Sequence, residues 1–130
     1  MYQKTIQDLL LLARDTPTFA GAKMAAVIKD KREIISFGFN QKKSHPLQKR
    51  YSSNPEAICL HSEIDAIRKA PYRTNLRGKT LFVARVLKGG QRALAKPCIG
   101  CQRAIKDFGF KEVVYSTPKG YKVIDYQVKT

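Results

Sequence analysis

The sequence predicts an α/β fold, a three-layer α/β/α sandwich around a mixed five-stranded sheet whose last two strands are antiparallel. Three observations carry that expectation. An amphipathic stripe near the N-terminus is followed by two short apolar runs joined through a charged turn, the pattern of a covering helix and then a hairpin. Two further helical segments alternate with a central apolar strand. Only residues 117–121 join the last two strand-like runs, too few for a crossover helix, so those strands pair antiparallel.

Thr5 is expected to open the first helix, with Asp8 three residues on as a capping-box partner. Ile6, Leu9, Leu10 and Ala13 follow as one apolar stripe, and Asp15-Thr16-Pro17 ends it. No residue here bears chemistry, so the helix covers a sheet face. Residues 24–29 and 33–39 form the hairpin about Asp30-Lys31-Arg32, with Gly38 and Asn40 where the chain leaves the sheet. Residues 41–60 show no periodicity and read as a long loop, a feature that is more often functional than idle. Residues 61–70 form a short helix with Ile64 and Ile67 facing the core and Pro71 ending it. A central strand spans 79–86 around Leu81, Phe82 and Val83, and a basic, glycine-containing loop spans 87–96. Residues 98–108 form the last helix, Ile105 and Phe108 inward, Arg103 and Lys106 outward. Strands at 112–116 and 122–128 close the sheet, with Ile124, Tyr126 and Val128 on one face.

A chain of 130 residues suits one domain over 1–130 with a core that needs no disulfides. Apolar runs such as Leu9 to Ala13 stop at five residues, far short of the roughly 18 of a membrane span. No signal peptide or membrane partner is expected. Three cysteines, two of them in a C-x-x-C, fit a reducing interior and a metal better than a disulfide framework. The charge is lopsided: 25 Lys and Arg against 10 Asp and Glu, net +15. Of these, 14 basic and 3 acidic residues lie between Gln41 and Arg103, so the excess concentrates around the motifs described next. A basic field of this kind draws phosphate-bearing ligands, either a mononucleotide or a nucleic acid.

Two segments carry chemistry. His61-Ser62-Glu63 offers an imidazole and, two residues on, a carboxylate; Pro97-Cys98-Ile99-Gly100-Cys101 offers two thiolates. One His and two Cys supply three ligands to a tetrahedral Zn²⁺ and leave the fourth position open. Each motif starts a helix, whose dipole favours the thiolate form. Glu63 is then the spare carboxylate. Cys59 would convert the set into a closed four-ligand structural site, but it stands only two residues from His61, too tight for easy joint ligation. A free cysteine is also commonly a small buried hydrophobe. His45 reads as a rim imidazole rather than a ligand. Tyr51 either stacks on a base or packs under the loop, and Glu56 is either a ligand contact or an N-terminal helix acid.

In this order the paired motif resembles the signature of the zinc-dependent cytidine deaminase superfamily, and is most similar to deoxycytidylate deaminases and their phage-encoded relatives. The resemblance spans nearly the whole chain. It implies hydrolysis of cytosine to uracil in a small (deoxy)cytidine nucleotide such as dCMP, with zinc on His61, Cys98 and Cys101 activating water and Glu63 as proton shuttle. It implies that Asn40 touches the sugar and that backbone around Ser62 meets the pyrimidine carbonyl. Pro97, Tyr51 and the loop cations Lys42 and Lys43 complete the expected substrate contacts, with Lys49 and Arg50 behind them. A homo-oligomer in the cytoplasm, or in the host-cell cytoplasm if phage-encoded, goes with that reading. The basic balance keeps a single-stranded DNA or RNA substrate as an alternative, although 9% aromatics without Trp offers few stacking platforms. A non-catalytic basic zinc-binding module is the third reading. The closing turn departs from the pattern: free-cytidine deaminases share an antiparallel last pair, whereas deoxycytidylate and polynucleotide deaminases usually insert a helix there.

Overall fold

A computed structural model describes residues 2–15, 22–41, 45–51, 60–71 and 75–126. Helix α1 (Tyr2–Arg14) lays Ile6, Leu9, Leu10 and Ala13 on the sheet as the stripe requires. It begins three residues before Thr5, which therefore does not cap it. The extra turn is held by tertiary contacts that spacing alone does not reveal. The Tyr2 ring meets Phe82 and Tyr121 edge-on, and its hydroxyl donates to Glu112. The Thr5 hydroxyl accepts a hydrogen bond from Lys29 Nζ instead.

The hairpin is β1 (Ala22–Asp30) and β2 (Glu33–Phe39), antiparallel as expected. Helix α2 (Pro46–Tyr51) occupies part of the stretch expected to lack regular structure. His45 stabilises its start by accepting a hydrogen bond from the Leu47 amide at Nδ1. Helix α3 (Ser62–Lys69), β3 (Thr80–Leu87), α4 (Ile99–Asp107), β5 (Glu112–Ser116) and β6 (Tyr121–Asp125) follow the predicted order. The sheet runs β2-β1-β3-β5-β6. β3 and β5 are parallel and the other neighbours antiparallel, so the sheet is mixed and its last pair antiparallel. A sixth strand, β4 (Arg92–Ala93), lies within the segment expected to be a loop. It folds back on β3, pairing Ala93 with Arg85 and Arg92 with Val86. Two paired residues are too few for a periodic signal.

The strands bury both faces. Ala25, Val27, Phe82, Ala84, Val86 and Val114 pack under α1. On the other face Ala26, Ile28, Leu81, Val83 and Val113 pack against Ile64 and Ile67 of α3 and Ile105 of α4. This is the three-layer sandwich. α3 lies directly on β2, because Gly38 presents no side chain: a Cβ there would sit 2.2 Å from Ala66 N and from Ser62 O. That contact sets the start of α3 beside the end of β2. Ile124 and Tyr126 pack on the α3–α4 side, while Val128 lies outside the described residues. Among the described residues no helix is long and apolar enough to cross a membrane.

Candidate metal centre and pocket

His61 is the N-cap of α3 and Cys98 the N-cap of α4, both in extended backbone conformation. Two helix N-termini thus converge on one spot, where their dipoles favour anionic sulfur. The His61 amide donates to Gln48 Oε1 at 2.9 Å, so α2 holds this cap although its own side chain leaves the helix amides alone. Cys98 Sγ accepts the Cys101 amide at 3.4 Å, and His61 Nδ1 stands 3.2 Å from Cys101 Sγ and 3.7 Å from Cys98 Sγ. A tetrahedral zinc with bonds of roughly 2.3 Å to sulfur and 2.0 Å to nitrogen sets its ligand atoms about 3.5 Å apart. The three donor atoms lie within 4.8 Å of one another, so the set fits a Zn²⁺ without rearrangement of the backbone. His45 is not in that cluster, and Cys59 lies outside the described residues.

The electrostatics agree with the donor chemistry. Hydrogen bonds from Cys101 and then His61 lower the Cys98 thiol to about 3. Cys101 is pushed up, first by its hydrogen bond to Cys98 and then by burial. Cys98 is the more exposed of the two sulfurs. His61 is raised, first by its hydrogen bond to Cys98. Glu63 is 2% exposed, and burial is the main cause that raises its carboxyl. Ser62 Oγ donates to Glu63 Oε1 at 2.9 Å and fixes that oxygen's direction.

His61, Glu63 and Cys98 share a cavity of about 300 Å³. His61, Glu63, Cys98 and Asn40 line it, with Met24, Leu60, Leu94 and Ala95 as apolar walls. Asn40 Oδ1 also accepts the Met24 amide at 2.9 Å, which pins the side chain at the cavity edge. Residues 1–117 match the family model described as the cytidine and deoxycytidylate deaminase zinc-binding region. The chain belongs to this family.

Solved deaminases share its architecture. The dCMP deaminase of cyanophage S-TIM5, in complex with dCMP and dUMP, is 23% identical, with 88% of this chain and 76% of that one covered and a TM-score of 0.55. Cytidine deaminase from Mycobacterium leprae is 22% identical, with 92% and 91% covered and the same score of 0.55. The Thermotoga maritima diaminohydroxyphosphoribosylaminopyrimidine deaminase/5-amino-6-(5-phosphoribosylamino)uracil reductase is 25% identical at 0.55, with 88% of this chain matching 28% of that longer one. No curated protein matches the chain. By family the chain carries a cytidine and deoxycytidylate deaminase zinc-binding region, and His61, Cys98 and Cys101 are arranged as a candidate zinc site.

Other expected contacts are placed differently. Tyr51 is buried in the core, and its hydroxyl donates to Asp107 Oδ2 at 3.0 Å, so it packs under the loop and offers no stacking face. Pro97 is buried, and its carbonyl accepts from Gln102 Nε2. Ser62 is fully buried, acting on Glu63 rather than on the cavity. Lys42, Lys43 and Glu56 lie outside the described residues. Two cations not among the expected substrate contacts line the cavity: Arg85 of β3, and Lys96 of the basic loop, just beyond β4. The available signal was a charge interrupting the apolar alternation of β3.

Proposed function

We propose that the chain deaminates the cytosine of a small (deoxy)cytidine nucleotide such as dCMP to uracil, with Glu63 as the proton shuttle. The observation that carries this reading is a buried carboxylate lining the same cavity as two members of the three-donor metal set, His61 and Cys98. Zinc bound by His61, Cys98 and Cys101 supplies Lewis-acid activation of water.

The chain's own residues supply the proton handling. Glu63 takes a proton from the attacking water and delivers one to N3 of the ring as the C4–O bond forms. It then moves the remaining proton of the new C4 hydroxyl to the exocyclic nitrogen, the C4–N bond breaks as the C4 carbonyl forms, and ammonia leaves. A carboxyl raised by burial sits closer to working pH and both accepts and releases protons more readily there. Ser62 keeps Oε1 aimed while the other oxygen works. Asn40, at the cavity edge, is positioned for a sugar hydroxyl. Ser62 and Pro97 contribute to the substrate through neighbouring backbone. Lys42 and Lys43 belong to the outer approach of a phosphorylated ligand in this proposal. So do a homo-oligomeric, cytoplasmic enzyme and a single domain over 1–130.

One observation favours a second reading. The antiparallel β5–β6 pair is the arrangement of free-cytidine deaminases, which makes the free nucleoside the rival substrate. Incubation of zinc-loaded protein with cytidine, deoxycytidine, their mono- and triphosphates and a cytosine-containing oligonucleotide separates these readings. dCMP is expected to react fastest. Preference for the nucleoside would overturn the phosphate requirement. Preference for the oligonucleotide, with affinity falling with salt at a slope near −0.7 per phosphate neutralised, would identify a polymer substrate.

A further inference from the structure

Strand β3 alternates between the two cores. Phe82, Ala84 and Val86 face α1, while Leu81 and Val83 face α3 and α4. The next position on the α3–α4 face is Arg85, where the period calls for an apolar side chain. Its Cα pairs with Met24 of β1 and with Ala93 of β4, and its amide donates to Ser116 Oγ at 3.1 Å. The backbone is therefore held on three sides, and the side chain enters the cavity from a rigid strand.

Arg85 Nε is buried and has no hydrogen-bond partner. Among the described residues neither Arg85 nor Lys96 takes part in an ion pair. Glu63, the carboxylate in the same cavity, takes its hydrogen bond from Ser62. A buried donor on a permanent cation is costly to leave unmatched, so the cavity lacks an anion that the ligand would bring. β4 contributes the second charge, because its return along β3 carries the chain to Lys96 on the wall of the same cavity. A guanidinium fork and an ammonium lining one cavity suit the oxygens of a phosphate.

We propose that Arg85, assisted by Lys96, is the phosphate-recognising pair of this pocket, which makes a pyrimidine nucleoside monophosphate its ligand in preference to the free nucleoside. The inference rests on the deaminase reading above and names the residues that set its substrate class.

The test is calorimetric binding of dUMP, deoxyuridine and inorganic phosphate to the wild-type protein and to Arg85→Met, Arg85→Lys and Lys96→Ala. Wild type is expected to bind dUMP at least about tenfold more tightly than deoxyuridine. Arg85→Met should weaken dUMP by roughly tenfold to a hundredfold and leave deoxyuridine unchanged. Arg85→Lys should fall between, and Lys96→Ala should cost a few-fold. An unaltered dUMP preference in Arg85→Met, or an equal loss for dUMP and deoxyuridine, overturns the inference. Should Arg85→Met not fold by circular dichroism, an unchanged preference in both Arg85→Lys and Lys96→Ala overturns it equally. Turnover separates this inference from the reading beneath it. Phosphate-dependent dUMP binding that Arg85→Met abolishes, in a protein that does not deaminate dCMP, sinks the deamination and leaves the phosphate site. Deamination of dCMP with intact phosphate dependence in Arg85→Met sinks only the phosphate site.

Discussion

The two faces of the sheet differ in what they bury. Under α1 the described core is aliphatic and aromatic, and its polar contacts lie at the two ends of the helix: Tyr2 and Thr80 donate to Glu112 at one, and Arg14 donates to the Gly90 carbonyl at the other. Under α3 and α4 the core also encloses Ser36, Gln48, Ser62, Glu63 and Asp65. Most are matched. Ser36 donates to the Ala66 carbonyl, and Asp65 receives the Phe39 amide, Gln41 Nε2, Arg68 and Lys69. These bonds tie the start of α3 to the end of β2, beside the cavity. Buried polarity is expensive unless paired, so its concentration on one face separates a face that stabilises from a face that positions chemistry.

The largest effect should come from Glu63→Ala. Turnover should fall by about 10² to 10⁴-fold, towards the upper end because one residue serves several transfers, while zinc content and melting temperature hold. An active, zinc-loaded variant would end the proton-shuttle role. Zinc removal ranks next, because it strips the chemistry and part of the cohesion of the α3–α4 face together. Chelation, or His61→Ala, should abolish activity and lower the melting temperature, and added zinc should restore the chelated wild type only. Activity that survives exhaustive chelation would contradict the metal's role. Leu9→Ala probes the opposite face. It should cost about 2 to 5 kcal/mol in urea unfolding and leave kcat unchanged at temperatures where the variant is folded. A loss of kcat there would show that the two faces are not independent.

The smallest effect concerns Tyr2. Its hydrogen bond to Glu112, followed by burial, pushes the phenol from 10.0 up to about 12. A folded value above the unfolded one means that the stabilisation is fully present below pH 10.0 and is lost as pH rises towards about 12. The gap in urea midpoint between wild type and Tyr2→Phe should therefore be constant to pH 10 and close above it. A gap independent of pH would place the contribution in ring packing alone.

Much of the fold was legible along the chain because its signals are local. The stripe from Ile6 to Ala13, the alternation through Leu81 to Val83 and the short closing turn each express a period or a length that needs no partner to be read. The metal donors were legible for a related reason: His61, Cys98 and Cys101 are the residue types zinc requires, at the spacings that helix starts provide. Tertiary structure alone decided the rest. Tyr2 joined α1 because Glu112, some 110 residues away in sequence, accepts its hydroxyl. Tyr51 left the substrate side because Asp107 holds it in the core. β4, too short for a period, exists through its pairing with β3. That pairing also decided which of 25 basic residues enter the pocket. Charge is written in the composition, and the break in the alternation of β3 marks Arg85, but that this position opens on the pocket depends on register between strands distant in sequence.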